Sequence, residues 1–260
     1  MCSVTEFRPG AVDYERQAAS YSRARALSPS AEASWREAIV RWLGTVHPEH
    51  VLDLGSGSGR FAPRLAGWLD CRVTGVEPSD GMREAAVREA SHPRVEYRAG
   101  DAESIPLGDA SCDAAWLGYM VHHVPDRAAC ARELVRVVRP GGLVLVAGGY
   151  SEEGRRQLSI FRYFPAALRI VEKFPTSEQI TADFADGGLD HLADDFVDLG
   201  TAGSLREAAA RTASRADSTL QLITDEEFAE GQRRLEEAAA RETEPRPIID
   251  RLDLLVYRRP

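Results

Sequence analysis

No apolar run in this 260-residue chain approaches the roughly 18–20 residues that a membrane helix requires, so no membrane association is expected. The opening MCSVTEFRPG lacks the basic segment and apolar stretch of a secretory signal. Cysteine is sparse. Cys2, Cys71, Cys112 and Cys130 are scattered without paired zinc-ligand spacing, which reads as free thiols in a reducing compartment, a cytoplasmic protein and no metal. Lysine is nearly missing: Lys173 stands alone against 31 arginines, a skew that fits a GC-rich genome as readily as any function. An excess of positive charge is missing too. The formal net charge is −9, which opposes association with DNA, RNA or anionic lipid, so nucleic acid is not an expected partner.

What is present is ordinary globular composition, 43% hydrophobic and 28% charged, which excludes a disordered chain, a collagen and a short disulfide scaffold. Residues 11–46 carry apolar and aromatic positions at helical spacing: Tyr14, Ala18 and Tyr21, then Trp35, Ile39, Trp42 and Leu43. Ser28-Pro29-Ser30 interrupts them and predicts two helices. From residue 50 the pattern alternates. Strands are expected at 50–55, 71–78, 94–101, 112–120 and 143–149, and helices at 58–70, 79–90 and 125–138. Pro140-Gly141-Gly142 reads as a turn after the last of these helices. Such alternation predicts an α/β, Rossmann-like, mostly parallel sheet with helices on both faces.

Beyond Tyr150 the character changes. Residues 151–175 are basic and aromatic, with Arg155, Arg156, Arg162 and Arg169 among Phe161, Tyr163, Phe164 and Phe174. A helix over 177–186 capped by Thr176, a strand at 190–201, helices at 204–216 and 224–241 and a strand at 248–259 complete a seven-stranded sheet. The expected organisation is an N-terminal helical cap (1–46), a cofactor-binding core (47–150), a substrate lid (151–175) and a sheet-completing segment (176–260) with a helical insertion at about 204–241.

The most informative segment is VLDLGSGSG (51–59). Gly55, Gly57 and Gly59 allow a tight turn and close backbone approach to a ligand, and the following helix aims unpaired N–H groups at it. A dinucleotide fingerprint is poorly met. Counted from Gly55, the third glycine should be residue 60, which is Arg60; counted from Gly57, residue 62 is Ala62 but the strand ends too early.

Asp53-Leu54-Gly55-Ser56-Gly57-Ser58-Gly59 resembles motif I of the class I S-adenosylmethionine-dependent methyltransferases. The resemblance extends over about 50–148 through Glu77 at the end of the second strand, GDAESIPL (100–107) after the third, and LVRVVRPGGLVLV (134–146) before and through the fifth. Within that family the run is most similar to the ubiquinone/menaquinone-biosynthesis-type small-molecule enzymes. It implies S-adenosyl-L-methionine as cofactor, released as S-adenosyl-L-homocysteine. It places Asp53, Gly55, Ser56, Gly57, Gly59, Glu77, Pro78, Met82, Asp101, Ala102 and Glu103 around that cofactor, with Glu77 at the ribose hydroxyls and Asp101 and Ala102 at the adenine. Tyr21 or Arg25 of the N-terminal segment would meet the methionine carboxylate. Each has a structural alternative: Asp53 as helix cap or loop brace, Glu77 as a solvated loop residue, Asp101 as a turn residue, Tyr21 and Arg25 on a surface helix.

Methyl transfer is an in-line displacement, so the protein aligns acceptor and methyl, excludes water and removes a proton from an oxygen or nitrogen acceptor. Ligands on such sheets sit beyond the strand carboxyl ends. His122 and His123, after the fourth strand, are therefore the candidate bases, with pocket shaping as their alternative role. Adjacent histidines diverge in direction, which argues against a metal at His122, His123 and Asp126. The arginines of 151–175 could meet a carboxylate or phosphate of the acceptor, or pair with the chain's own acids. The expected function is methylation of a small molecule at oxygen, nitrogen or carbon in secondary metabolism. Alternatives are a cyclisation or rearrangement that holds the cofactor without consuming it, a nicotinamide oxidoreductase, and a non-enzymatic binding module. Monomer and homodimer remain open.

Overall fold

The computed structural model describes residues 27–260. Its chain order is α1 (Pro29–Leu43), β1 (His50–Leu54), α2 (Ala62–Leu69), β2 (Arg72–Glu77), α3 (Asp80–Glu89), β3 (Val95–Ala99), β4 (Cys112–Gly118), α4 (Arg127–Val137) and β5 (Val138–Gly148). There follow α5 (Glu152–Gln157), α6 (Pro165–Val171), α7 (Ser177–Asp186), β6 (Asp190–Ala202), α8 (Leu205–Thr212), α9 (Ser218–Gln221), α10 (Asp225–Ala240) and β7 (Ile248–Arg258). The strands form one seven-stranded sheet in the order β3-β2-β1-β4-β5-β7-β6. The first five are mutually parallel; β7 runs antiparallel between β5 and β6. The strand order reverses direction between β1 and β4, so their carboxyl ends open the crevice where ligands bind such sheets.

Period-two alternation divides the sheet between two cores. Leu52 and Leu54 of β1 join Leu117, Val144, Val146, Leu255 and Tyr257 under α4 and α7. Val51, on the opposite face, packs with Trp116, Leu145 and Val256 against Trp35 of α1 and Phe61 and Leu65 around α2. Trp35 and Trp116 meet edge to face at 5.4 Å. A third core lies off the sheet. Phe161, Phe164 and Ile170 pack there with Ala209, Leu220, Leu235 and Ala239, so residues 158–174 and 205–240 build one helical cover. It is closely packed: a Cβ on Gly231 would stand 2.2 Å from a Phe164 ring carbon. Among the described residues no helix is long and apolar enough to cross a membrane.

Several boundaries differ from the sequence reading. The helix after the glycine loop starts at Ala62 rather than 58, because Gly57 and Gly59 hold positive φ and keep the chain in the loop, and Pro63 then starts the helix. The fifth strand starts at Val138 rather than 143. Pro140-Gly141-Gly142 lies inside it, at a register shift against β4 between Cys112 and Ala114, rather than in a free turn. The helix expected over 204–216 ends at Thr212 and the short α9 follows it; the 151–175 segment splits into α5, a 3-10 turn and α6. Thr176 caps α7 through a full capping box with Gln179. Of the expected N-terminal helix pair, α1 is present and residues 11–26 lie outside the described residues, as do Tyr14, Tyr21 and Arg25.

Candidate active site

The glycine loop connects β1 to α2 and folds back over the end of β2. Gly55 and Ser56 donate their N–H groups to the Val76 carbonyl at 2.8 and 3.1 Å, and Gly59 donates to the Ser56 carbonyl at 3.0 Å. The loop thereby binds to the neighbouring strand, which leaves the Gly57 N–H for the Glu77 carboxylate at 2.9 Å. The other Glu77 oxygen accepts the Ser79 N–H at 3.1 Å. Gly59 has φ +80°, and a Cβ there would lie 2.4 Å from the Tyr97 hydroxyl, so the loop needs glycine for fit as well as conformation. Gly57 differs: a Cβ on it would meet nothing within 4 Å, so its backbone faces open space beside Glu77.

Behind the loop lies Asp53, 2% exposed. Burial, then the nearby Glu77 charge, push its carboxyl up to about 8. Its Oδ2 and the Ser56 hydroxyl are buried without a hydrogen-bond partner among the described residues. Asp53 thus lies buried beneath the loop with one oxygen available, and α2 starts after Phe61 without a side-chain cap.

Glu77 and Ala99 are register partners across β2 and β3, which brings Asp101 to the same end of the sheet. Asp101 is exposed and accepts the Glu103 N–H at 2.9 Å, an Asx-type turn that shapes the loop. The Glu103 carboxylate accepts the Asp126 N–H at 3.0 Å and so ties this loop to the start of α4. Ala102 and Met82 are buried, and Pro78 is exposed.

Past β4 the chain makes a sharp exit. Tyr119 adopts φ +62°, a strained conformation for a bulky residue, and donates its N–H to Ala147 at 2.8 Å. His122 and His123 follow on a 3-10 turn with ring centroids 4.1 Å apart. The His122 ring stacks on Phe174 of the 151–175 segment at 4.2 Å and 15°. Burial pulls His123 down to about 4, so it is neutral at neutral pH and a weak base. The Arg60 guanidinium lies 5.2 Å from the Tyr119 ring. Arg60, Tyr119, His122 and His123 line a cavity of about 770 Å³ between the sheet and the helical cover. The loop glycines and Glu77 are not in its wall, so it adjoins the glycine-loop crevice rather than coinciding with it.

The arginines of 151–175 separate into different roles. Arg155 is 2% exposed and donates to the carbonyls of Tyr150, Val171, Phe174 and Pro175 at 2.6–3.2 Å. It fastens the segment internally and is not available to a ligand, contrary to the ligand-binding option. Arg156 pairs with Glu172 at 3.3 Å and Arg169 with Glu227. The cavity wall also includes Tyr150, Leu199, Thr201 and Asp250, which sequence patterns did not single out. They lie on strand ends and turns far apart in the chain, where only the signal of core packing was visible. Among the described residues no group of three His, Cys, Asp or Glu could hold a metal.

Comparison with known proteins follows this division. Residues 52–146 match the family model described as a methyltransferase domain. Over 151 residues the chain is 36% identical to a malonyl-acyl-carrier-protein O-methyltransferase of Serratia marcescens, covering 55% of this chain and 58% of that protein. Over 192 residues it is 29% identical to the 27-O-demethylrifamycin SV methyltransferase of Amycolatopsis mediterranei, covering 69% and 68%. The chain thus spans between half and about two thirds of these relatives. A crystal structure of a methyltransferase assigned to an antibiotic biosynthesis pathway of Anabaena variabilis superposes with a TM-score of 0.71. It covers 88% of this chain and 99% of that one at 19% identity, which shows a shared fold.

Proposed function

We propose that this chain, whose residues 52–146 match the methyltransferase-domain model, is a class I S-adenosylmethionine-dependent methyltransferase that transfers a methyl group from S-adenosyl-L-methionine to a small-molecule acceptor. The observation that carries this is the pairing of Gly57 with Glu77. A loop N–H is held on a fixed carboxylate while the glycine's missing side chain leaves open space beside it. That is a cradle for an adenosyl ligand, with Glu77 accepting from a vicinal diol, Asp101 and Ala102 at the base, and Asp53 and Ser56 offering buried acceptors near the loop.

The cofactor supplies an activated methyl group on a sulfonium. The protein's part is alignment, exclusion of water and proton removal. The cavity beside the loop takes the acceptor. Its wall carries His122, which receives the proton from an acceptor hydroxyl, while His123, kept neutral by burial, supports the ring of His122. The Phe174 ring fixes His122 from the cover side, so cover and base are positioned together. Some relatives are O-methyltransferases by name and others are C-methyltransferases of ubiquinone and menaquinone biosynthesis, which supports an oxygen or carbon acceptor here.

Calorimetric titration tests the reading. S-adenosyl-L-homocysteine should bind at micromolar affinity, weakened about 100-fold in Glu77→Ala, since two charge-assisted hydrogen bonds and the ribose contact are lost. Binding of NADH in its place would overturn the proposal. With a methylated acceptor in hand, His122→Ala should lower kcat about 100-fold or more and leave S-adenosyl-L-homocysteine affinity intact. An unchanged kcat would remove His122 from proton transfer.

A further inference from the structure

The cavity reverses the charge of the chain that encloses it. Acidic side chains outnumber basic ones 41 to 32 in the whole sequence. The cavity wall has five arginines against two aspartates, with neither glutamate nor lysine. Both aspartates are engaged locally. Asp250 accepts the Ser159 N–H at 2.7 Å, the Ser159 hydroxyl at 3.0 Å and the Thr201 hydroxyl at 3.2 Å. Asp217 accepts the Thr219 N–H and hydroxyl at 2.9 and 2.6 Å. Of the arginines, Arg155 is spent on carbonyls and Arg156 is paired with Glu172. Arg60 stands at the catalytic end, stacked on Tyr119.

Arg162 and Arg211 remain. Arg211 donates to the Thr201 carbonyl, and the Arg162 guanidinium lies 6.0 Å from the Tyr163 ring. Neither pairs with a carboxylate among the described residues, whereas Arg156, which also lines the cavity, pairs with Glu172. Both are exposed, and they come from the two separate inserts that build the cover. The same wall carries apolar side chains, among them Leu199, Leu205, Leu220 and Phe161. At about 770 Å³, the space equals the liquid volume of about 25 waters, far more than a single-ring phenol fills.

We infer that the acceptor is an amphipathic anion, a large apolar body whose carboxylate, sulfonate or phosphate is held by Arg162 and Arg211 while its hydroxyl reaches His122. The inference rests on reading this cavity as the acceptor site. Guanidinium groups suit a planar, bidentate acid. Their exposure sets the size of the effect, because rim pairs are partly screened by solvent.

Two dyes of similar apolar shape test it: 8-anilinonaphthalene-1-sulfonate, which carries the acid, and N-phenyl-1-naphthylamine, which does not. Each is titrated by fluorescence into the protein loaded with S-adenosyl-L-homocysteine. The sulfonate should bind about five- to tenfold more tightly at low salt, and the margin should shrink at 0.5 M salt. Arg162→Ala/Arg211→Ala should abolish the margin without weakening the neutral dye, and Arg162→Lys/Arg211→Lys should retain part of it. Ala208→Trp, which fills the cavity from α8, should lose both dyes. Equal affinity of the two dyes, a margin unchanged in the double alanine variant, or binding that survives Ala208→Trp would each overturn the inference, as would failure of both dyes to bind. Loss of S-adenosyl-L-homocysteine binding with the dye margin intact would instead overturn the methyl-transfer reading and leave the anion site standing.

Discussion

The two halves of the site are built from different materials. On the sheet side, the contacts that matter come from backbone: the Gly57 N–H on Glu77, the Gly55 and Ser56 N–H groups on Val76, and parallel register that brings Glu77 level with Ala99. On the cover side, side chains make them: Arg155 across four carbonyls, Arg169 on Glu227, and Phe164 against Phe228 at 5.7 Å. The lesson concerns evolvability. A loop whose shape is set by backbone bonds cannot easily be altered, whereas a cavity wall made of side chains from separate inserts can be rewritten one residue at a time.

If the halves are distinct, the largest effect should come from cutting the cover's fastening. Arg155→Ala leaves buried carbonyls of Tyr150, Val171, Phe174 and Pro175 without their donor, at a cost of about 3–5 kcal/mol. Scanning calorimetry should show an early transition for the cover, with S-adenosyl-L-homocysteine affinity retained. Equal loss of both would mean that the cover and the sheet fold as one unit.

A smaller effect is expected at Gly231. Adding a methyl group there places a carbon against the Phe164 ring, and overpacking of this kind costs about 1–3 kcal/mol. In Gly231→Ala, hydrogen exchange should accelerate within 158–174 and 205–240 and stay unchanged in β1, β2 and β4. Acceleration throughout the sheet would dissolve the distinction between the halves.

The most local effect belongs to Asp53. Its folded-state carboxyl stands near 8, above the ordinary 3.8, so the folded chain binds the extra proton between those values. Stability from this group is therefore full at low pH and declines as pH rises toward 8. Asp53→Asn removes that decline. Its Tm should exceed that of the native protein by a few degrees at pH 8 and by less at pH 5. A constant difference across that range would show that Asp53 does not titrate there.

The difference between the halves also governs how much could be read in advance. Motif I, Glu77 and the Asp101 loop were legible through their resemblance to the methyltransferase motifs, and the loop glycines also because positive φ favours glycine. The strand–helix alternation was legible because buried parallel strands require continuous apolar runs. The role of Arg155 stayed open between ligand binding and internal pairing because a buried donor to four carbonyls and a solvent-facing ligand binder look alike in a one-dimensional string. The Pro140–Gly142 segment was misplaced because proline and glycine signal a turn locally, whereas backbone bonds from the Gly141 N–H to the Arg259 carbonyl and from the Arg259 N–H to the Gly142 carbonyl keep it in the strand.

Sequence alone therefore determined the strand–helix alternation of the sheet and the glycine loop beyond β1, which follow from local periodicity and backbone sterics. Tertiary structure decided the rest. It brought Phe174 onto His122 and buried His123, and it set Thr201 and Asp250 of neighbouring strands beside Ser159 of the cover. It also left Arg162 and Arg211 of the cavity wall without acidic partners among the described residues. These contacts join residues tens of positions apart, and their chemistry depends on desolvation and distance, neither of which exists until the chain has packed.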